Sequence, residues 1–276
     1  KHTTGSTTNL TMQSYGGNAF GAGDIGAAGT IFTKQASQTY GDLFVSNNNS
    51  ITDSATPIIQ DITFDTITVA SSSNFLVPTS TTLSYTTLDI DNGGIVTERG
   101  TINFPSTFTI ETGSRVNFDR ARSFDSLTIN GEIGHSPNYI TQEYTMNLNI
   151  TGDLIVSSGG VIDLDGLGYT SGIGQASGYG PGAGASLSGD YPGGGGAYGG
   201  DGGDAVFAGI RAGGNAYGST TNPVQIGSSG GNAGAAATGG EGGGLAIITV
   251  AGTTTIDGIV TADGTDGRAG QLSRGG

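Results

Sequence analysis

Between residues 51 and 157, apolar side chains alternate with threonine, serine, asparagine and aspartate in short runs. Ile62-Thr63-Phe64, Ile67-Thr68-Val69, Leu88-Asp89-Ile90 and Phe108-Thr109-Ile110 are examples, followed by Val116-Asn117-Phe118, Leu127-Thr128-Ile129 and Leu148-Asn149-Ile150. A period of two places one face of each run against a core and the other in water, the mark of a β-strand. Threonine fills many of the polar positions, and its branched side chain fits a pleated surface. Turn-forming clusters separate the runs: Asp91-Asn92-Gly93-Gly94, Glu98-Arg99-Gly100, Thr112-Gly113-Ser114 and Asn130-Gly131. Upstream, Thr30-Ile31-Phe32-Thr33 and Asp42-Leu43-Phe44-Val45 read as two further strands, the second ended by Asn47-Asn48-Asn49-Ser50. No window carries apolar residues at helical spacing over several turns, so the pattern predicts an all-β fold.

Two architectures satisfy this pattern. In a β-sandwich, Asn130-Gly131 would close a two-residue hairpin. In a right-handed parallel β-helix, a solenoid, each coil stacks on the last around one shared core. Repetition favours the solenoid. Thr151 to Gly166 and Ile248 to Gly264 both run strand, small turn, strand, Asp-Gly, and they bracket a glycine-rich stretch. The expected organisation is a glycine-rich segment leading into the first strands over 1–50, and β-helix coils over 51–158. A glycine-rich insertion over 159–244 and a C-terminal coil over 245–276 complete it.

That insertion changes the picture, because it holds 32 glycines in 86 positions and would pass for a flexible linker on composition alone. Linkers need no apolar residues, yet Tyr179, Tyr191, Tyr198, Val206, Phe207, Ile210 and Tyr217 punctuate it. Gly213-Gly214-Asn215-Ala216-Tyr217-Gly218 also repeats Gly16-Gly17-Asn18-Ala19-Phe20-Gly21, with a weaker copy at Gly230-Gly231-Asn232-Ala233-Gly234. Glycine permits very close approach between backbones. The expected form is therefore compact loops, or extended glycine strands packed together, leaning on one side of the core.

Composition narrows the function classes. With nine Lys+Arg against a formal charge of −14, the chain lacks the cationic footprint that nucleic acid requires, and an anionic membrane would repel it. Cysteine is absent, which removes disulfides and thiol chemistry together. No apolar run approaches a membrane span. The chain opens Lys1-His2 and closes in a glycine-rich stretch, and is read as a processed chain or a piece of something longer.

Candidate chemistry is sparse. Gly199 to Phe207 fits one copy of the calcium-binding nonapeptide of β-rolls, with Asp201 and Asp204 as the candidate ligands. Such rolls build each site between consecutive copies, and Ala208 to Ala216 does not continue the pattern. No cofactor is otherwise expected. Asp89/Asp91, Asp163/Asp165 and Asp263/Asp266 are paired carboxylates, read as a solvated face. Arg115, Asp119, Arg120, Arg122 and Asp125 cluster in a way that a polysaccharide-cleaving enzyme would use, and that surface ion pairs also explain. His135 is read as a turn residue. No nucleophile elbow or phosphate loop occurs, so the chain is read as non-catalytic. Tyr179, Tyr191, Tyr198 and Tyr217 are the candidate binding residues, because tyrosine among Ser, Gly and Asn suits adaptable contact surfaces.

The stretch from Gly26 to Asn49, with Gly26-Ala27-Ala28-Gly29-Thr30-Ile31-Phe32-Thr33-Lys34 and Tyr40-Gly41-Asp42-Leu43-Phe44-Val45, resembles a recurrent segment of large bacterial glycine-rich surface proteins. The likeness continues at Leu127 to Gly131, His135 to Asn138, Tyr217 to Thr220, Gly240 to Gly244 and Ile256 to Gly264. It implies a β-helical fold and a place at the cell surface, and it carries no catalytic residues. A looser likeness is to the glycine-rich adhesin tips of phage tail fibres. The expected function is an extracellular filament, fibre or adhesin segment. Its expected partners are copies of itself or neighbouring surface-protein segments, with a glycan or a cell-surface receptor as the alternative. A β-helix polysaccharide lyase or hydrolase is the second alternative.

Overall fold

The computed structural model describes residues 12–17, 25–52, 54–172, 174, 176–186, 192–206, 209–233 and 237–267. Every regular element among them is a strand. The chain divides into two compact units. One takes the chain up to Phe104 together with Gly113–Arg115, and the other takes Pro105–Thr112 and everything from Val116 onward.

The first unit contains β1 (Thr30–Thr33), β2 (Asp42–Ser46), β3 (Thr56–Pro57), β4 (Ile62–Ala70), β5 (Asn74–Val77), β6 (Thr82–Ile90), β7 (Ile95–Glu98) and β8 (Thr101–Ile102). β1 pairs antiparallel with β2, and β2–β4, β4–β6, β6–β8, β3–β5 and β5–β7 all pair parallel. The order β1-β2-β4-β6-β8 forms one sheet, while β3, β5 and β7 follow one another in a second. A strand in one sheet is thus followed by a strand in the other, and the next pair lies alongside. Asp42 faces Thr66, Ile67 faces Leu88, and Phe75 faces Val96.

Corners stack as the strands do. Asn49 donates its N–H to the Ser71 carbonyl, Ser72 to Asn92, and Gly93 to Gly113. Asn48, Asn49, Ser71, Ser72 and Asn92 all hold positive φ. That conformation costs a non-glycine residue roughly 1–2 kcal/mol. The corner-to-corner bonds offset the cost, and Asn92 Nδ2 adds a bond to Asn49 Oδ1 at 2.9 Å.

The second unit contains β9 (Thr107–Ile110), β10 (Arg115–Phe118), β11 (Arg122–Phe124), β12 (Ser126–Ile129), β13 (Glu132–Gly134), β14 (Met146–Ile150), β15 (Leu154–Val156), β16 (Val161–Asp163), β17 (Ala205–Val206), β18 (Ile210–Arg211), β19 (Ala246–Val250), β20 (Thr254–Ile256) and β21 (Ile259–Thr261). Three lines of strands run through it: β11-β14-β19, β9-β12-β15-β20 and β10-β13-β16-β21. Asn130-Gly131 links β12 to β13, which lie in different lines. The hairpin that the β-sandwich alternative would place there does not form, because β12 pairs with β9 and β15. Leu127, Ile129, Ile133, Met146, Leu148, Ile150 and Val156 are completely buried between the lines.

The two similar stretches noticed in the sequence are neighbours in space. Leu154 faces Thr254 and Val161 faces Ile259. Asp153 Oδ1 accepts the Thr253 N–H at 2.7 Å across a separation of 100 residues. The intervening glycine-rich stretch therefore leaves the ladder after β16 and rejoins it at β19. Apart from the small antiparallel pair β17–β18, its described residues form no regular strand.

Candidate functional site

Glycine offers the backbone no side chain to pack, so its amides and carbonyls must find partners directly. In the glycine-rich stretch they do so with a period of three. Gly227 and Gly230 donate to the carbonyls of Gly243 and Gly240 at 2.8 and 2.9 Å. Ser228 and Gly231 donate to Ala197 and Gly194 at 3.2 and 2.9 Å, and Ser229 and Asn232 to Tyr179 and Ala176 at 3.0 and 3.1 Å. The donor advances by three residues as the acceptor retreats by three. Each of three neighbours is met once in three residues, the repeat that a polyproline II helix, with three residues per turn and no internal hydrogen bonds, would give. Gly194 and Ala197 repeat the rule toward Ala185 and Gly182.

Close approach demands glycine here. A Cβ on Gly231 would lie 2.3 Å from the Ala185 carbonyl oxygen. Where a side chain does occur, it binds backbone. Ser228 Oγ accepts the Gly182 N–H at 2.9 Å, and Ser229 Oγ accepts the Tyr179 N–H at 2.8 Å. Buried Asn232 donates from Nδ2 to the carbonyls of Gly172 and Gly174 at 2.6 Å each, and its Oδ1 accepts the Gly239 N–H at 2.8 Å. The sequence signalled Asn232 only through its place in the repeated Gly-Gly-Asn-Ala motif.

The candidate tyrosines do not form one site. Tyr198 and Tyr217 meet edge to face, with centroids 5.1 Å apart and planes at 90°. The Tyr217 hydroxyl donates to the Ile226 carbonyl and accepts from Ser228 Oγ, the latter at 2.9 Å. Burial pushes the Tyr217 pKa above its ordinary value. The Tyr198 hydroxyl is buried without a partner among the described residues. Tyr179 sits instead beside Tyr139, centroids 6.3 Å apart. Tyr191 lies outside the described residues. An open groove of about 940 Å³ runs along the glycine segments, lined largely by backbone, with Tyr198 as its aromatic side chain.

Asp201 and Asp204 each hold backbone. Asp201 Oδ1 accepts the Ala216 N–H at 2.7 Å, and Asp204 Oδ1 accepts the Gly213 N–H at 2.8 Å. No group of three or more His, Asp or Glu side chains suited to a metal occurs among the described residues. The same chemistry recurs at the strand corners. Asp165 Oδ1 accepts from the Asp263 N–H and from Thr261 Oγ1, and Asp119 Oδ1 from the Ser136 N–H. These acids pin one layer to the next, a use that spacing along the chain did not disclose. Of the arginine and aspartate cluster, Arg122 lies with its guanidinium carbon 6.0 Å from the centroid of the Phe124 ring.

His135 is corrected from a turn residue to a fully buried one. Its Nδ1 lies 2.7 Å from the Ser136 carbonyl oxygen, and its Nε2 accepts the Leu245 N–H at 3.1 Å. It thereby receives the chain as the glycine-rich stretch returns to the ladder at β19.

Comparison of the chain with protein-family models, curated protein sequences and solved structures returns no match.

Proposed function

We propose that this chain is a segment of an extracellular surface fibre or adhesin, a right-handed parallel β-helix that carries a packed glycine-rich insertion and acts by attachment and self-assembly. The observation that carries the reading is the join at β14 and β19. A hundred-residue separation is closed by a parallel ladder, and the excursion between these strands is held by its own backbone bonds in a period of three. Such an arrangement spends its residues on rigidity.

Outside the join to β19, β20 and β21, parallel partners lie 19 to 29 residues apart, which supports the winding of a solenoid. Parallel crossovers within a sheet are overwhelmingly right-handed, which supports the hand. The likeness to glycine-rich surface proteins supports the location. Terminal strands of a solenoid present unpaired backbone, a template for another chain. Ile256, Ile259 and Val260 on β20 and β21 are exposed there.

Sedimentation velocity and negative-stain electron microscopy over a range of concentrations test the proposal. Concentration-dependent elongated species, or adherence of coated beads to cells, are the expected results. A monodisperse globular species that adheres to nothing would sink it. Release of reducing or unsaturated sugar ends from polysaccharides, abolished by Arg120→Ala, would replace it with the enzymatic reading.

A further inference from the structure

A second concavity, of about 660 Å³, lies in the first unit, outside the glycine-rich stretch. Its walls come from the end of β1, the loop joining β1 to β2, and the first halves of β4 and β6. Phe64 forms part of the lining while only 3% exposed, whereas Phe32 and Tyr40 stand 55% and 48% exposed at the same concavity. Phe32 and Phe64 lie tilted at 57°, with centroids 6.2 Å apart. Exposed aromatic rings around a hollow are costly in water unless something covers them.

The loop carrying Tyr40 is held firmly. Asp65 Oδ2 accepts the N–H groups of both Tyr40 and Gly41, at 3.0 and 2.7 Å. Lys34 Nζ donates to the Thr39 carbonyl at 2.6 Å, and Gln38 Nε2 donates to Asp42 Oδ2 at 2.7 Å. A ring presented on a pre-ordered loop loses little freedom when it meets a ligand.

The charged groups beside these rings are opposite in sign. Lys34 and Asp61 both line the hollow, one cation and one anion, in a chain that is strongly acidic. The Lys34 ammonium keeps two donors beyond its bond to Thr39. Asp61 Oδ1 accepts the Thr82 N–H at 2.7 Å, and its other oxygen has no partner among the described residues. Ser84 accepts from Asn103 at 2.8 Å and retains its own hydroxyl proton. Donors and acceptors without net charge, set between ring faces, suit a molecule with apolar C–H faces and hydroxyl edges.

We infer that this hollow binds a neutral oligosaccharide, with Phe32 and Tyr40 stacking on sugar rings and Lys34, Asp61 and Ser84 holding hydroxyls. The inference rests on the attachment half of the function proposed above and moves the contact surface from the glycine-rich stretch to the first unit.

The test is a printed array of neutral and anionic oligosaccharides, followed by calorimetric titration of the best soluble neutral ligand. Wild-type binding to at least one neutral oligosaccharide is expected. Phe32→Ala and Tyr40→Ala should each weaken it about tenfold, the equivalent of ~1.4 kcal/mol, while Val206→Ala, exposed and outside the hollow, retains it. Unchanged urea midpoints would show that the exposed-site variants still fold. No binding to any neutral oligosaccharide, binding confined to anionic ones, or full affinity in the Phe32/Tyr40 double alanine variant would overturn the inference. Those failures leave the self-association measurement standing, and loss of self-association leaves glycan binding standing.

Discussion

A methyl group at Gly214 would sit 1.8 Å from the Gly182 carbonyl oxygen, inside any permitted contact. Backbone cannot swing aside as a long side chain can, so Gly214→Ala must push two extended segments apart. Overpacking of this kind costs about 1–3 kcal/mol, and the urea midpoint should fall accordingly without a change of slope. Tyr217 supplies the complementary test. Burial favours its neutral phenol, so the folded pKa lies above the unfolded value of about 10. The fold then holds the proton more tightly than the unfolded chain does. Stability from this group is fully present below pH ~10 and is lost as pH rises through the folded pKa. Tyr217→Phe should lower stability at neutral pH by about 1 kcal/mol, through its bonds to Ile226 and Ser228. It should also flatten the alkaline decline seen in denaturation midpoints of the parent. An equally steep decline in the variant would count against this account.

Strands here depend on neighbours that are distant along the chain. Leu148 on β14 is completely buried and lies between Arg122 on β11 and Ile248 on β19. Leu148→Ala removes buried methyl groups from the middle of a three-strand line, which costs about 2–5 kcal/mol. Thermal or urea unfolding measures that loss, and a cost below 1 kcal/mol would show that the line is looser than its packing indicates. The junction after the glycine-rich stretch has its own signature. His135→Phe fills a similar volume but strips the acceptor from the Leu245 N–H. An unpaired buried donor costs about 1–3 kcal/mol. Hydrogen exchange at Leu245 should quicken more than exchange at Leu127, which donates to the Asp153 carbonyl at 3.1 Å. In β4 the buried positions are Phe64, Ile67, Val69 and Ala70. The alternation therefore slips by one between Phe64 and Ile67, which is why the sequence displayed two short runs where the fold has one strand.

Among the described residues, two kinds of backbone pairing coexist. One is paired in ladders, and the other is bonded outward three ways without regular strands. With no helix among the described residues, the far-UV circular dichroism should lack the paired helical minima. It should combine a β minimum with a deeper negative band near 200 nm, where polyproline II absorbs strongly. Excising the glycine-rich stretch and linking β16 to β19 by a short turn should diminish the 200 nm component and leave the β component. A variant that loses both would show that the ladder depends on the insertion.

Alternation in runs such as Leu127-Thr128-Ile129 was legible in advance, because which side of a strand is wet depends only on neighbouring residues. Partner choice was not, since a parallel ladder joins residues dozens of positions apart and the same alternation suits a sandwich. That ambiguity is why Asn130-Gly131 suited a hairpin in the sandwich alternative, whereas it joins two strands of different lines. The glycine-rich stretch was still less readable. A strand marks its faces with side chains, whereas glycine marks nothing, and a polyproline II segment makes no bonds to itself. Its period of three exists only between segments, so the assembled fold decides it, along with the burial of His135 and Asn232 and the hollow beside Phe32 and Tyr40.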